Sequence, residues 1–475
     1  MAEQKKQERD FTPEVDAALP EAISLAKGGK LNDAVDKLIA LEKQTRNAAD
    51  PKSTTRLATT VMELCYEARD YPLLNSNISV LSKKHGQLKA VVQEMVEKAM
   101  GWLDEIRQKE GVEKWLELVE TLRQVTEGKI FLETPRARVT RSLSLYHESQ
   151  ADAADSPEKK QKSIETASEL MSDLQVETYS SMERREKTEF LLEQMRLLVL
   201  VARGKDAEDV KEGKDEINRG EADWLKVRVG GRKVSETFLK DKANQDLKLK
   251  FYDLMIQFAL HANSYLDAAK YYHTIWETPS IREDTNGAGK QALEHVVYYV
   301  VLAPHDNEQS DMLNRVFNYP ELAKLDLHYN LMKCFTTREL MRWPGVEGIY
   351  GPTLRSTEVF GQGSGKRWED LHTRVIEHNI RVVAEYYSRI RMNRLTALLD
   401  LSPQQTEETL SRLVVSGTVW ARIDRPAGII NFRNKKSPED VMNEWSSDMQ
   451  RLLGLVEKTW MGMNAALAAQ SRIKA

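Results

Sequence analysis

The sequence predicts a mostly α-helical protein: an N-terminal helical-repeat array, then a winged helix, then one long C-terminal helix. Three observations carry that prediction. From Ala17 to about Leu200 strand-like alternation is nearly absent, and apolar residues recur at helical spacing. The breaks between these stretches return roughly every forty residues, the length of a two-helix repeat. Beyond Trp368 the pattern changes to three helical runs followed by two short alternating strands.

Composition bounds the rest. A chain of 475 residues exceeds the ~250–300 that one hydrophobic core organises, so several units or a repeat array are expected. Hydrophobic residues at 41% and charged residues at 30% suit an ordered soluble chain. The 69 basic and 73 acidic residues leave a net charge of -4, so no global field draws the chain to nucleic acid or an anionic membrane. No apolar run reaches the ~20 residues of a membrane span. Met1 to Asp10 is rich in Lys, Gln and Glu and lacks the apolar segment of a secretory signal. Cytoplasm and nucleus are the expected compartments. The two cysteines, Cys65 and Cys334, are far apart on helical apolar patterns and read as buried thiols.

Residues 1–16 read as a flexible N-terminus and 17–250 as a solenoid of TPR-like helix pairs, punctuated at Gly28-Gly29, Asp70 to Pro72, Gly111 and Asp152 to Pro157. Each helix pair buries its apolar stripe only against its neighbours. Ser156 followed by Pro157 is a helix start, supplying a capping oxygen and a proline at the first helical position. Residues 203–223 carry dense mixed charge with Gly204, Gly213 and Gly220, and read as an exposed loop or insertion. Phe251, Leu254, Met255 and Phe258, then Tyr265, Ala268, Ala269, Tyr272 and Ile275, return at helical spacing and read as core.

Residues 251–435 read as a second module, with Thr353 to Lys366 as Gly-, Ser- and Thr-rich punctuation before Trp368, Phe360 to Arg367 as a flexible linker, and the winged helix at about 374–434. Ile376, Ile380, Val383, Tyr387 and Ile390 mark its first helix, and Leu395, Leu398 and Leu399 its second. Ser402, Pro403 and Gln405 form a capping-box start for the third, which Gly417 ends. Thr418 to Asp424 and Gly428 to Phe432 supply a hairpin. In 436–475, Ser437, Pro438 and Asp440 open a long helix on which Trp445, Met449, Leu452, Val456, Trp460, Met463 and Leu467 advance by 4, 3, 4, 4, 3 and 4. At about 3.7 residues per turn these seven share one nearly straight stripe, and they are the expected partner interface.

No motif predicts catalysis, a metal or a cofactor. FGQGSGKR at Phe360 to Arg367 has Phe360 where a phosphate loop needs its first glycine and Arg367 where it needs Ser or Thr. The histidines stand singly; His372 and His378 lie six apart, on different helix faces. Neither cysteine has a second nearby for zinc, and no serine has the flanking glycines of a nucleophile elbow. DNA binding is disfavoured because the third helix offers Glu407 and Glu408 against Arg412 alone. The counter-argument is the cluster Arg389, Arg391 and Arg394, with Arg422 and Arg425 in the wing, which a protein interface accommodates equally well.

Local segments then carry a resemblance: LEKQTR at Leu41 to Arg46, LCYEARDYPLL at Leu64 to Leu74, LQVETYSSMERREKTEFLLEQMRL at Leu174 to Leu197, LAPHDNEQSD at Leu302 to Asp311, TTRELMRW at Thr336 to Trp343, VIEHNIRVVAEYY at Val375 to Tyr387 and AGIINF at Ala427 to Phe432. Over nearly the whole chain the sequence resembles the PCI-containing non-ATPase subunits of the lid of the proteasome regulatory particle; the charged stretch 203–223 departs from that pattern. The resemblance implies that 251–435 is a PCI module and that the chain is a non-catalytic scaffold in ATP-dependent degradation of ubiquitinated proteins. It implies as partners the other lid subunits, including PCI subunits and a metal-dependent deubiquitinase, with the base ATPases and core particle as further neighbours. Winged helices joined edge to edge and a bundle of C-terminal helices are the implied contacts. The same module makes the COP9 signalosome the alternative assembly.

Overall fold

The computed structural model describes residues 11–154, 156–212, 219–283, 287–361, 365–432 and 438–474, without the side chains of 208–212 and 469–474. The chain divides into two compact units, Met1–Asn263 and Ser264–Ala475.

In the first unit the helices Thr12–Lys27, Leu31–Asn47, Pro51–Glu67 and Tyr71–Lys83 are joined by one repeating turn. A left-handed residue at Gly29, Ala49 or Arg69 precedes Lys30, Asp50 or Asp70, whose N–H donates back to the carbonyl of Leu25, Thr45 or Cys65. This back-bond satisfies a carbonyl that the helix end leaves orphaned. Positions 29, 49 and 69 are spaced by 20 residues, so each forty-residue unit is a helix pair. The Ala48-Ala49 turn inside it has no glycine to betray it. Asp50 and Asp70 cap the following helices through Ser53 N and Leu73 N.

The helical array starts earlier than residue 17. Phe11 and Val15 are buried, and the Phe11 N–H donates to Asp50 Oδ2 at 3.2 Å; residues 1–10 lie outside the described residues. Each later helix packs on its predecessor through Glu133–Asp152, Pro157–Ser172 and Arg184–Glu212, and the last of these meets Gln245–His261. Ser156 caps as expected, accepting from Lys159 N.

The expected exposed loop at 203–223 is corrected for the residues described. Arg184–Glu212 is one helix, and Glu221–Lys233 is the next. Lys205 Nζ donates to buried Asp223 at 2.7 Å, and Trp224 Nε1 donates to Asp206 at 2.8 Å. The Gln161 side chain lies over Gly204 and donates to the Val201 carbonyl at 3.1 Å. The charges find their partners on the next helix, eighteen residues further along the chain. Residues 213–218 lie outside the described residues.

Phe251, Leu254 and Met255 are buried as expected, with Phe258 half-buried, but they lie in the first unit and not in a module that opens at residue 251. In the second unit Tyr265, Ala268 and Ala269 are buried and Tyr272 stacks on His295 and Tyr299. The flexible linker expected at Phe360 to Arg367, within the punctuation from Thr353 to Lys366, is also corrected for the residues described. Thr353 to Arg355 end the helix Trp343–Arg355, and Gly365 opens the helix Gly365–Tyr386. Between them Val359 and Phe360 are buried, Phe360 packing edge-on against Tyr298 and Trp368. The phenylalanine that spoils the phosphate-loop pattern is thus a core anchor; residues 362–364 lie outside the described residues.

The winged helix comprises the helix Gly365–Tyr386, β1 (Arg389–Arg391), the helices Met392–Leu399 and Pro403–Val415, β2 (Arg422–Asp424) and β3 (Ile429–Asn431). The strands form an antiparallel sheet in the order β1-β3-β2, with Ile390 and Ile423 both opposite Ile430. The first helix is shorter than expected. It ends at Tyr386, Tyr387 is exposed, and Ile390 belongs to β1, where it joins the same apolar core as Ile380, Leu395 and Leu410. A residue pointing inward from a strand can mimic one more helical step. The Ser402–Gln405 capping box is present, and Gly417 has φ 75°. After the sheet the chain continues in the helix Pro438–Lys474; Ser437, its expected cap, lies outside the described residues.

Candidate partner interface

The expected interface residues all lie on the helix Pro438–Lys474, and all are exposed. Trp445 is 64% and Trp460 61% exposed, and Met449, Leu452, Val456, Met463 and Leu467 are open as well. From Pro438 to Ala468 every side position is exposed except at Gly454. Sequence reasoning missed further exposed apolar residues: Val441, Met442, Leu453, Leu455 and Met461. At ~100° per residue, Leu455 and Leu453 flank the stripe and widen its apolar arc to about 160°. That exceeds the seam one neighbouring helix covers and fits packing against more than one. The signal lay beside the stripe, one residue to either side of Leu452 and Val456.

The winged helix presents two edges, β1 and β2, each paired only with β3 among the described residues. Unpaired strand edges are templates for sheet extension. Val415 and Trp420, exposed at the end of the third helix and the start of the wing, add apolar surface.

The third helix is less suited to phosphates than its sequence implies. Its one arginine, Arg412, reaches Glu377 Oε1 at 3.4 Å, and Glu377 is buried and also takes Arg374. Arg425 forks onto Glu407 at 2.6 and 2.7 Å. Two of the basic residues on or near the third helix are therefore committed within the module.

Several resemblance segments serve structural contacts. In LEKQTR, Glu42 is buried and accepts from Arg46 Nε at 3.1 Å and Lys84 Nζ at 3.0 Å. Arg196 near the end of LQVETYSSMERREKTEFLLEQMRL forks onto Glu148 at 2.6 and 2.7 Å. It lines a cleft of about 880 Å³ in the first unit beside Glu193, Lys250 and Asp253, a mixed-charge surface. In VIEHNIRVVAEYY, burial and the neighbouring Arg381 push the His378 imidazole down to about 4, and its Nε2 lies 3.2 Å from the Glu339 carbonyl. His372 instead packs on Trp343. Cys65 is buried and its thiol is pushed up by that burial; Cys334 is only half-buried, contrary to the expectation for both. Among the described residues no three His, Cys, Asp or Glu side chains gather as metal ligands, and no helix is long and apolar enough to cross a membrane.

An array of helix pairs, a winged helix with two open sheet edges and an exposed amphipathic terminal helix define a helical-repeat protein of the PCI class. Residues 33–284 match the family "PSMD12/CSN4, N-terminal", 331–434 the PCI domain, and 439–460 the "26S proteasome regulatory subunit RPN5 C-terminal domain". The chain belongs to the family of 26S proteasome non-ATPase regulatory subunit 12 and RPN5 proteins. It is 38% identical to "26S proteasome non-ATPase regulatory subunit 12" of Dictyostelium discoideum, over 96% of this chain and 94% of that one. It is 37% identical to "26S proteasome regulatory subunit RPN5" of Saccharomyces cerevisiae, over 95% and 94%. Similarity to COP9 signalosome complex subunit 4 of Arabidopsis thaliana is 22% and covers 46% of this chain and 54% of that one.

Proposed function

We propose that the chain is a non-catalytic scaffold subunit of the 26S proteasome regulatory particle lid, supporting lid assembly and thereby ATP-dependent degradation of ubiquitinated proteins. The observation that carries this reading is the exposed apolar arc of the helix Pro438–Lys474, part of which matches a domain named for RPN5. An arc of that width in water is unfavourable unless a partner covers it. The stripe from Trp445 to Leu467 enters a helical bundle, and the winged-helix edges pair with other PCI subunits. The metal-dependent deubiquitinase, the base ATPases and the core particle are further neighbours, in cytoplasm and nucleus. In this reading the helix pairs from Thr12 to Asn263 are the solenoid, the PCI module follows them, and Pro438–Lys474 is the docking helix.

Truncation after Phe432 tests the docking role. The truncated chain is expected to stay folded by circular dichroism yet fail to co-purify with lid subunits; normal incorporation would refute the bundle contact. Affinity purification with mass spectrometry separates the assemblies. Signalosome subunits without proteasomal ATPases would transfer the scaffold role to the COP9 complex, a reading the partial similarity to its subunit 4 favours less.

A further inference from the structure

The outward face of the winged-helix sheet is the feature that neither the edge contacts nor the terminal helix uses. Ile390, Ile430 and Ile423 form one cross-strand row; Ile390 and Ile430 are buried and Ile423 packs partly against their core. Strand alternation therefore turns their flanking residues to the opposite face. There Arg389 and Arg422 stand on either side of Asn431 in one row, and Arg391 and Asp424 on either side of Ile429 in the next. The three arginines are exposed, as is Arg394 in the first turn of the following helix. None of these four makes an ion pair among the described residues, whereas nearby Arg374, Arg412 and Arg425 each have one. Asp424 accepts the Ala427 N–H. One carboxylate thus stands among four unpaired guanidinium groups in a chain whose net charge is negative.

We infer that this sheet face binds an acidic polypeptide segment, Arg389 and Arg422 each receiving one carboxylate and Arg391 or Arg394 a third. With strands ~4.8 Å apart, Arg389 and Arg422 originate ~10 Å from each other across β3, and long arginine side chains bring their forks to carboxylates at the closer spacing of an extended or helical acidic segment. Guanidinium forks match carboxylates bidentately and are weakly hydrated, which suits a protein interface. A duplex is the less fitting occupant because Glu407 and Glu408 stand on the adjoining third helix and Asp424 in the face itself. The inference concerns a surface separate from the docking helix and holds whether or not the assembly reading does.

The test uses the purified full-length chain and a fluorescein-labelled peptide of alternating Glu and Ala, read by anisotropy at low salt. Binding is expected, with a loss on the order of tenfold in affinity for Arg389→Ala/Arg422→Ala and a smaller loss for Arg389→Lys/Arg422→Lys, which keeps the charge but not the fork. Arg315→Ala, remote in sequence and paired with Asp311, is the control and should bind as the unsubstituted chain does. Should the Ala variant misfold by circular dichroism, the Lys variant carries the comparison. Absence of peptide binding, or binding indifferent to both double substitutions, overturns the inference. Tighter binding of a DNA or RNA duplex through the same arginines overturns it too and makes the face a nucleic-acid surface.

Discussion

Asn379 grips the backbone of Met341 from both sides: its side-chain carbonyl accepts the Met341 N–H at 2.8 Å, and its amide donates to the Met341 carbonyl at 2.7 Å. The side chain thereby imitates a neighbouring strand for a segment that has none, and it ties TTRELMRW to VIEHNIRVVAEYY. Both partners are buried, so Asn379→Leu would leave a buried donor and acceptor unsatisfied, at about 1–3 kcal/mol each. Hydrogen exchange at the Met341 amide should accelerate strongly in that variant. Asn379→Asp keeps the acceptor and should fall between. Unchanged exchange in both would show that the clamp is dispensable.

His378 makes the second unit acid-sensitive. Its ordinary pKa of 6.5 is brought to about 4 by burial and by Arg381, so between those values the unfolded chain binds more protons than the folded one. Stability from this group is complete above about pH 6.5 and declines as pH falls towards 4, by at most about 3 kcal/mol. His378→Gln should flatten part of that decline in denaturation measured from pH 7 to 4.5. An identical slope would assign the acid sensitivity to other groups.

Glu42 holds two cations in the first helix pairs. Glu42→Ala abandons Arg46 and Lys84, which are largely enclosed, and breaking such a pair costs about 3–5 kcal/mol when it is buried. Faster limited proteolysis of the N-terminal helices is the expected readout. Glu42→Gln, which retains an acceptor, should be milder.

Trp460 separates folding from assembly. Exposed as it is in this chain, Trp460→Ala should leave the thermal transition of the isolated protein within about 0.5 kcal/mol of the original. If the stripe docks, the same change should weaken incorporation into the lid by on the order of 2 kcal/mol or more. Competition between tagged and untagged chains during assembly measures this, and equal incorporation would place Trp460 at the rim.

Much of the fold was legible because it rests on local rules. The Ser402–Gln405 box, the Ser156–Pro157 start and the Trp445 to Leu467 stripe each depend on residues within one or two helical turns. Legibility failed where the deciding partner is remote or where two periods coincide. Arg203 to Glu212 looked like a loop because Lys205 meets Asp223 and Gly204 meets Gln161 only after folding. Ile390 looked helical because its spacing from Val383 matches two turns, although it pairs with Ile430 forty residues later.

By itself, then, the sequence determined the helical class, the winged-helix order and the apolar face left over at the C-terminus, since periodicity and capping are local properties of a chain. Only the tertiary structure decided which charges are spent within the fold and which stay open. Arg412 and Arg389 are alike in sequence, but one meets Glu377 and the other faces water, because that difference depends on which elements pack together across long stretches of chain.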